Sequence, residues 1–179
     1  MLEGKNVNLR VAEKDDLPLF LEWFNNPVFM GEFFSPTQMS KADMEKMLDN
    51  NPYEMKAFIV EKKDGTKIGQ IGHFNVVSPY SRMLEIGYSI APTERGKGYC
   101  TEAAQLMVDY LFLSRDVARI QATTHVNNVA SQRVLEKAGF KREGVMRKAI
   151  HVRGERTDLV LFSILREEWK EPKILTRKA

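Results

Sequence analysis

The stretch Leu84-Glu85-Ile86-Gly87-Tyr88-Ser89-Ile90 runs through Ala91-Pro92-Thr93-Glu94 into Arg95-Gly96-Lys97-Gly98-Tyr99-Cys100 and then Thr101-Glu102-Ala103-Ala104-Gln105-Leu106-Met107-Val108-Asp109-Tyr110-Leu111-Phe112. Alternation puts Glu85, Gly87 and Ser89 on one face and the apolar residues on the other, the pattern of a strand. Pro92 cannot donate to a ladder and ends it. Ala103, Leu106, Met107, Tyr110 and Leu111 recur at i, i+3, i+4, i+7 and i+8, which predicts an amphipathic helix. Strand, glycine loop and helix are therefore consecutive. Gly96 and Gly98 let the backbone turn tightly and approach a ligand, while the first helical turn leaves N–H groups facing outward. Such a terminus attracts phosphate.

Two familiar phosphate loops fail at this site. The P-loop needs Gly-x-x-x-x-Gly-Lys-Ser/Thr, but Tyr99 follows Gly98; the dinucleotide fingerprint needs a third glycine, and Thr101 occupies its position. Glycine loops also precede helices for steric reasons alone, so the pair of glycines does not by itself name a ligand.

On the N-terminal side, Val7 to Val11 alternates as a half-buried strand. Leu17, Phe20, Leu21 and Phe24 then predict a helix capped by Asp15 or Asp16, with Pro18 in its first turn, ending near Asn26-Pro27. Phe29 to Pro36 has no clean period and reads as an irregular aromatic loop. Its aromatics, with Trp23, are open to two readings, packing or lining of a substrate site, for Trp23, Phe29, Phe33 and Phe34 alike. A short helix follows from Lys41 to Leu48. Phe58 to Glu61 and Ile68 to Val77 read as strands joined by Lys63-Asp64-Gly65-Thr66, and with Met83 to Ile90 they form an antiparallel meander.

Downstream, Arg119 to Val126 alternates as a strand. A helix from about Asn128 to Ala138 has Asn127 or Asn128 as N-cap and Gly139 as its left-handed C-terminal residue. Lys141 to Val152 and Arg156 to Leu165 are strands meeting at Arg153-Gly154-Glu155. The order predicts an α/β (α+β) domain: a mixed, mostly antiparallel sheet of about seven strands with helices on both faces.

The chain has 179 residues, 43% hydrophobic and 28% charged, the composition of one ordinary globular domain spanning 1–179. Its formal charge is +3, from 27 basic and 24 acidic residues. The excess is dispersed apart from Lys173-Ile174-Leu175-Thr176-Arg177-Lys178, which gives little support to DNA or other sequence-independent nucleic-acid binding. The single cysteine, Cys100, cannot form an internal disulfide, and the N-terminus opens no apolar signal region, so a cytoplasmic location is expected. No apolar run approaches the roughly 20 residues that span a bilayer. His73, His125 and His151 are isolated, so no metal site is expected.

Arg95-Gly96-Lys97-Gly98-Tyr99-Cys100 resembles the pyrophosphate loop of the GNAT acetyltransferase superfamily, Gln/Arg-x-x-Gly-x-Gly/Ala, with Cys100 where glycine or alanine is usual. Asn128-Val129-Ala130-Ser131, with Leu135-Glu136-Lys137-Ala138-Gly139-Phe140, resembles the superfamily helix Asn-x-x-Ser/Ala ending in Gly-Phe. Glu-Ile-Gly-Tyr, Arg-Gly-Lys-Gly-Tyr and Asn-x-x-Ser together resemble the subgroup of ribosomal-protein N-terminal acetyltransferases of RimJ/RimL type. The resemblance covers nearly the whole chain. It implies transfer of an acetyl group from acetyl-coenzyme A to a primary amine, foremost a protein N-terminal α-amine, by direct attack in a ternary complex. A polyamine or antibiotic acetyltransferase and a non-catalytic acyl-coenzyme A sensor are the rival readings. Dimers are frequent among the proteins it resembles.

The same resemblance implies that backbone groups of Tyr88, Ser89 and Ile90 hold the pantetheine arm. The amides of Arg95, Gly96, Lys97, Gly98, Tyr99, Cys100 and Thr101 hold the pyrophosphate, and Asn128 contacts the arm near the thioester. The Ile90 N–H is the implied oxyanion donor. Glu85 stands as either a general base or an ordinary ion-paired strand residue. The tyrosine that many members carry seven residues after the helix asparagine is replaced by Leu135. Ser131 is then either the group that hydrogen-bonds the departing thiolate or a plain helix serine. Cys100, with no histidine near it in sequence, reads as an inert thiol rather than a nucleophile.

Overall fold

Val7 and Leu9, the inward residues of the first predicted strand, are fully buried, whereas Asn8 and Arg10 on the other side are half-buried. The computed structural model describes residues 1–49, 54–76 and 83–175. The strands are β1 (Leu2–Glu3), β2 (Val7–Val11), β3 (Lys56–Lys62), β4 (Lys67–Val76), β5 (Met83–Ile90), β6 (Arg119–His125), β7 (Lys141–Val152) and β8 (Glu155–Leu165). The helices are α1 (Leu17–Asn25), α2 (Pro27–Met30), α3 (Lys41–Asp49), α4 (Tyr99–Ser114) and α5 (Val129–Ala138). The sheet order is β1-β2-β3-β4-β5-β6-β8-β7, and β5 with β6 is its one parallel pair among the described residues.

One face of the sheet carries α4 and α5 over Phe58, Val60, Ile71, Ile86, Ile120, Phe162 and their neighbours. The other carries α1 and α2 with Leu17, Phe20, Trp23, Phe29, Met44 and Ile59 as a second core. The expectation of a mixed, mostly antiparallel sheet with helices on both faces therefore holds. It has eight strands rather than seven, because β1 is two residues long and too short to show alternation. The turn after β1 is held by Glu102 of α4, whose carboxylate accepts from the Asn6 amide N–H and side chain at 2.7 Å each and from Val7 N–H at 3.2 Å.

Several local predictions are met by geometry. Gly65 has φ +83° in the β3–β4 turn, Gly139 has φ +106° after α5, and Arg153-Gly154 turn the last hairpin at φ +50° and +90°. Val77, the last residue of the predicted strand Ile68 to Val77, and Thr176 to Lys178 of the basic tail lie outside the described residues.

Two expectations need correction. Asp16 stands at the N-cap of α1, as expected, but its side chain makes no capping bond to the helix. It accepts from the Glu13 N–H in a short 3-10 turn and takes a two-bond ion pair from Arg10, at 2.8 and 2.9 Å, joined by Lys67 at 3.1 Å. A nearly buried carboxylate is better neutralised by a guanidinium fork than by an amide alone, and the Arg10 bonds hold Asp16 well below the usual carboxylate range. Likewise, Phe29 to Pro36 is not wholly irregular. Asn26 Oδ1 accepts from Val28 and Phe29 N–H, and Pro27 opens the one-turn helix α2. Asn followed by Pro is a readable helix start that the aromatic residues obscured.

His73 is the oddity of the first core. It is 3% exposed between Phe58 and Tyr110, and neither ring nitrogen has a partner among the described residues. Burial pushes it down to about 4 from an ordinary 6.5, with Arg115 and Lys56 adding repulsion. The folded state therefore keeps His73 neutral where the unfolded chain takes up a proton. That contribution to stability is complete above pH 6.5 and is lost as pH falls from there through 4. The loss amounts to roughly 3 kcal/mol. Urea melts of wild type and His73→Phe between pH 7.5 and 4 should diverge by that order, with the variant flatter. Parallel curves would remove His73 as the source.

Candidate active site

The parallel pairing of β5 with β6 runs through Leu84↔Ile120 and Glu85↔Gln121 and stops there. Beyond that point β5 stays paired to β4 and β6 to β8, so the two strands part and leave a gap whose mouth lies where α4 and α5 begin. Ala91 N–H bonds Ile68 O at 2.8 Å, so by the alternation of an antiparallel ladder the backbone groups of Ile90 and Tyr88 turn away from β4 and toward this gap. Tyr88 and Ile90 are two of the three residues singled out for the pantetheine arm and the oxyanion; the backbone of the third, Ser89, turns by the same alternation toward Gln70 of β4, which corrects the expectation for it.

Gly96 and Gly98 both adopt left-handed backbone, φ +77° and +86°, and an added Cβ at either would meet no heavy atom within 4 Å. The loop is thus a bare backbone surface with room above it. Gly98 is the N-cap of α4 and supplies no side-chain cap, and the first helical bond is Glu102 N–H to Gly98 O at 3.1 Å. Tyr99, Cys100 and Thr101 consequently start the helix with N–H groups that no earlier turn can accept. A 16-residue helix with uncapped donors and a cradle free of side chains fits a diphosphate. Beside it, a cleft of ≈ 630 Å³ is lined by Gly98 and Thr101, by Lys137 and Lys173, and by the carboxylates Glu3 and Glu102; the Lys173 ammonium donates to Ala138 O at 3.2 Å. The lysines came from elements that sequence spacing did not connect with the loop.

The side chains of the loop point elsewhere. Arg95 turns inward, its Nε donating to Ile90 O at 2.9 Å and its second guanidinium nitrogen to Phe29 O at 2.6 Å. It braces the loop against the end of β5 and against α2, and leaves the anion to the backbone. Lys97 pairs with Glu94 at 3.1 Å. Cys100 is half-buried by residue, but burial of its thiol pushes it up to about 12, with Arg95 pulling weakly the other way. A thiol held protonated is no nucleophile.

At the other lip of the gap, Asn128 caps α5, its Oδ1 accepting from Ser131 N–H at 3.1 Å. One side-chain oxygen is thereby used in local structure, and the amide nitrogen is the group left for a ligand. Ser131 lies one turn in, and its hydroxyl meets the Tyr88 hydroxyl at 3.0 Å. Leu135 is 1% exposed in the first core and offers no proton. The Tyr88 side-chain contact was not visible in the sequence, where Tyr88 is simply one apolar position of a strand.

Glu85 sits at the apex where the strands part, on the face opposite α4. Its Oε1 accepts from Thr123 Oγ at 2.7 Å and its Oε2 from Gln121 Nε2 at 2.9 Å. Further along the same face, Glu143 takes two bonds from Arg119 and one from Ser163 at 2.6 Å, which hold it below the usual carboxylate range. Ser89 accepts from Gln70 at 3.1 Å. The sequence singled out Glu85 and Ser89 on this face, but not the partners on β6 and β8 that fix them.

The four aromatics expected near the acceptor separate. Trp23 and Phe29 are 6% and 5% exposed and stack on each other at 5.0 Å in the second core, so they pack and do not line a surface. The physical reason is that helices this short need large rings to fill the space over Ile59. Phe33 instead lies on His125 at 4.9 Å, and His125 bonds Thr157 at 3.0 Å. Ser35 bonds His151 O and Arg153 N–H of the β7–β8 hairpin at 3.3 and 3.1 Å. Segment 31–35 and that hairpin therefore form one wall beside the end of β6. Phe34 is 44% exposed and lines a small cavity with Ser35 and Arg153.

A parted parallel pair beside an uncapped helix terminus with a glycine cradle is an arrangement able to hold an anionic carrier with its arm in the gap. Residues 6–141 match the model of the acetyltransferase (GNAT) domain, and the chain belongs to that family. It is an acetyl-coenzyme A-dependent N-acetyltransferase. It is 30% identical to the uncharacterized N-acetyltransferase p20 of Bacillus licheniformis over 94% of this chain and 97% of that one. Its fold resembles the spermidine N-acetyltransferase of Vibrio cholerae in complex with CoA and spermine, with TM-score 0.80 and 24% identity over 93% and 99% of the two chains. It also resembles RimL, the ribosomal L7/L12 alpha-N-protein acetyltransferase, with TM-score 0.78 and 20% identity over 92% and 97%. No helix among the described residues is long and apolar enough to cross a membrane.

Proposed function

We propose that the acceptor is a protein N-terminal α-amine, attacked directly on the thioester with both substrates bound. The observation that carries this reading is the state of the carboxylates on the open face of the sheet. Glu85 is occupied by Gln121 and Thr123, and Glu143 by Arg119 and Ser163. A polyamine carries several positive charges and calls for several unpaired carboxylates at matching spacing; a single amine on an extended peptide needs one.

In this reading the loop from Arg95 to Thr101 and the lip at Asn128 fix the thioester in the gap, which converts a bimolecular encounter into an oriented attack. The amine enters from the face of Glu85, which takes its proton directly or through water. The Ile90 N–H stabilises the oxygen on which charge develops. Ser131, on the α5 side, donates to the departing sulfur. Acceptor and leaving group are thus served from opposite faces of the sheet.

Thiol release from acetyl-coenzyme A, measured with a panel of unblocked peptides, spermidine and an aminoglycoside, tests the proposal. Peptides should exceed spermidine by more than about tenfold in kcat/KM, the discrimination that 1.4 kcal/mol of transition-state binding gives. A preference for spermidine, or cofactor binding without release for any acceptor, would refute it.

A further inference from the structure

The Ser131 hydroxyl has a hydrogen-bonding neighbour. The Tyr88 hydroxyl lies 3.0 Å from its Oγ and 3.3 Å from its own carbonyl oxygen. Two arrangements satisfy this geometry. In one, Tyr88 donates to the Ser131 carbonyl and accepts the serine proton, so the serine points back into the protein. In the other, Tyr88 donates to Ser131 Oγ, and the serine proton is turned outward into the gap. Each hydroxyl has one proton, so the direction of the Tyr88 bond decides whether Ser131 is a donor to a ligand.

We infer that Tyr88 is the positioning residue of the leaving-group site: its hydroxyl donates to Ser131 Oγ when a sulfur anion forms in the gap, and so aims the serine proton at that sulfur. The inference rests on the reading of Ser131 as the thiolate partner given above. Tyr88 is on β5 and Ser131 on α5, so the pair joins one strand of the gap to the helix that begins at its mouth. Leu135, buried on the same helix, provides no competing donor. Burial raises the Tyr88 phenol well above its ordinary range, which keeps its own proton in place. The step then balances without a phenolate: the C–S bond breaks, the electron pair stays on sulfur, and Ser131 and Tyr88 each keep their proton while sharing it. Solvent later supplies the proton that makes the thiol.

The test requires no acceptor. Coenzyme A is bound to the protein and its thiol titrated through thiolate ultraviolet absorbance; Cys100, pushed up to about 12 by burial, ionises outside the window. Relative to wild type, Ser131→Ala should lower the ionisation constant of the bound thiol about tenfold, as loss of one bond to an anion does. Tyr88→Phe, which keeps the ring, should lower it about threefold, as expected of a second bond acting through the first. The double variant should match Ser131→Ala alone. Site-specific 3-fluorotyrosine at position 88, a stronger donor of similar size, should raise the constant, and it reports on the bond even if the phenylalanine variant melts. A shifted Ser131→Ala with Tyr88→Phe and the fluorinated protein both at wild-type values would overturn the role of Tyr88 alone. An unshifted Ser131→Ala would overturn the reading of Ser131 itself.

Discussion

Gly98→Val is expected to weaken acetyl-coenzyme A binding by at least about a hundredfold while leaving the chain folded. Gly98 combines φ +86° with open space where a side chain would begin. Valine there is strained by roughly 1–2 kcal/mol, because its Cβ crowds the carbonyl in the left-handed region. Its methyl groups would also occupy the volume that brings phosphate oxygens within reach of Tyr99, Cys100 and Thr101. Hydrogen bonds to a charged group contribute about 1.5–3 kcal/mol each, so the loss of two accounts for the hundredfold at about 1.4 kcal/mol per decade. Strain alone must be separated from obstruction. Gly65 serves as the control, since it has φ +83°, also has nothing within 4 Å of an added Cβ, and lies in the β3–β4 turn. Gly65→Val should lower stability comparably and leave binding intact. Calorimetric titration decides the matter, and a Gly98→Val dissociation constant within threefold of wild type would end the claim that this loop grips the diphosphate.

That loop was legible in the sequence because its physics is local. Two glycines, a preceding strand and a following helix are adjacent in the chain, and the left-handed angles of Gly96 and Gly98 follow from their lack of a side chain. Asn128 as a helix cap was legible for the same reason. What could not be read is anything that depends on which strand lies beside which. Glu85 was singled out by alternation, yet its meaning depends on Gln121 and Thr123, 36 and 38 residues away. Tyr88 was read for its backbone alone, and its hydroxyl acquires a role only because the fold brings Ser131, at the start of α5 and 43 residues on, against it. The aromatics failed in the opposite direction. Phe29 looked like a candidate for a surface because segment 29–36 shows no period, but period is lost whenever a helix is a single turn long, as α2 is; Trp23, on the longer α1, stacks on it. The short strand β1 escaped for the same reason of length.

Glu85→Gln is expected to lower kcat by about two to three orders of magnitude near neutral pH, the usual range for loss of a positioned base. Two explanations of such a loss compete, and the geometry supplies the means to part them. As a clamp, Glu85 joins β5 to β6 at the last paired position through Thr123 and Gln121. Glutamine would then mismatch one of two donors, widen the gap, and depress activity equally at all pH values along with cofactor affinity. As a base, Glu85 is needed only while the amine carries its extra proton. A peptide α-amine titrates near pH 7.7–8.0, so above that range the neutral nucleophile is present without help. The deficit of Glu85→Gln should therefore shrink as pH rises from 6.5 to 9.5, with the affinity for acetyl-coenzyme A unchanged. A deficit that stays constant across that range, accompanied by weaker cofactor binding, would assign Glu85 to holding the strands together and leave the proton to water.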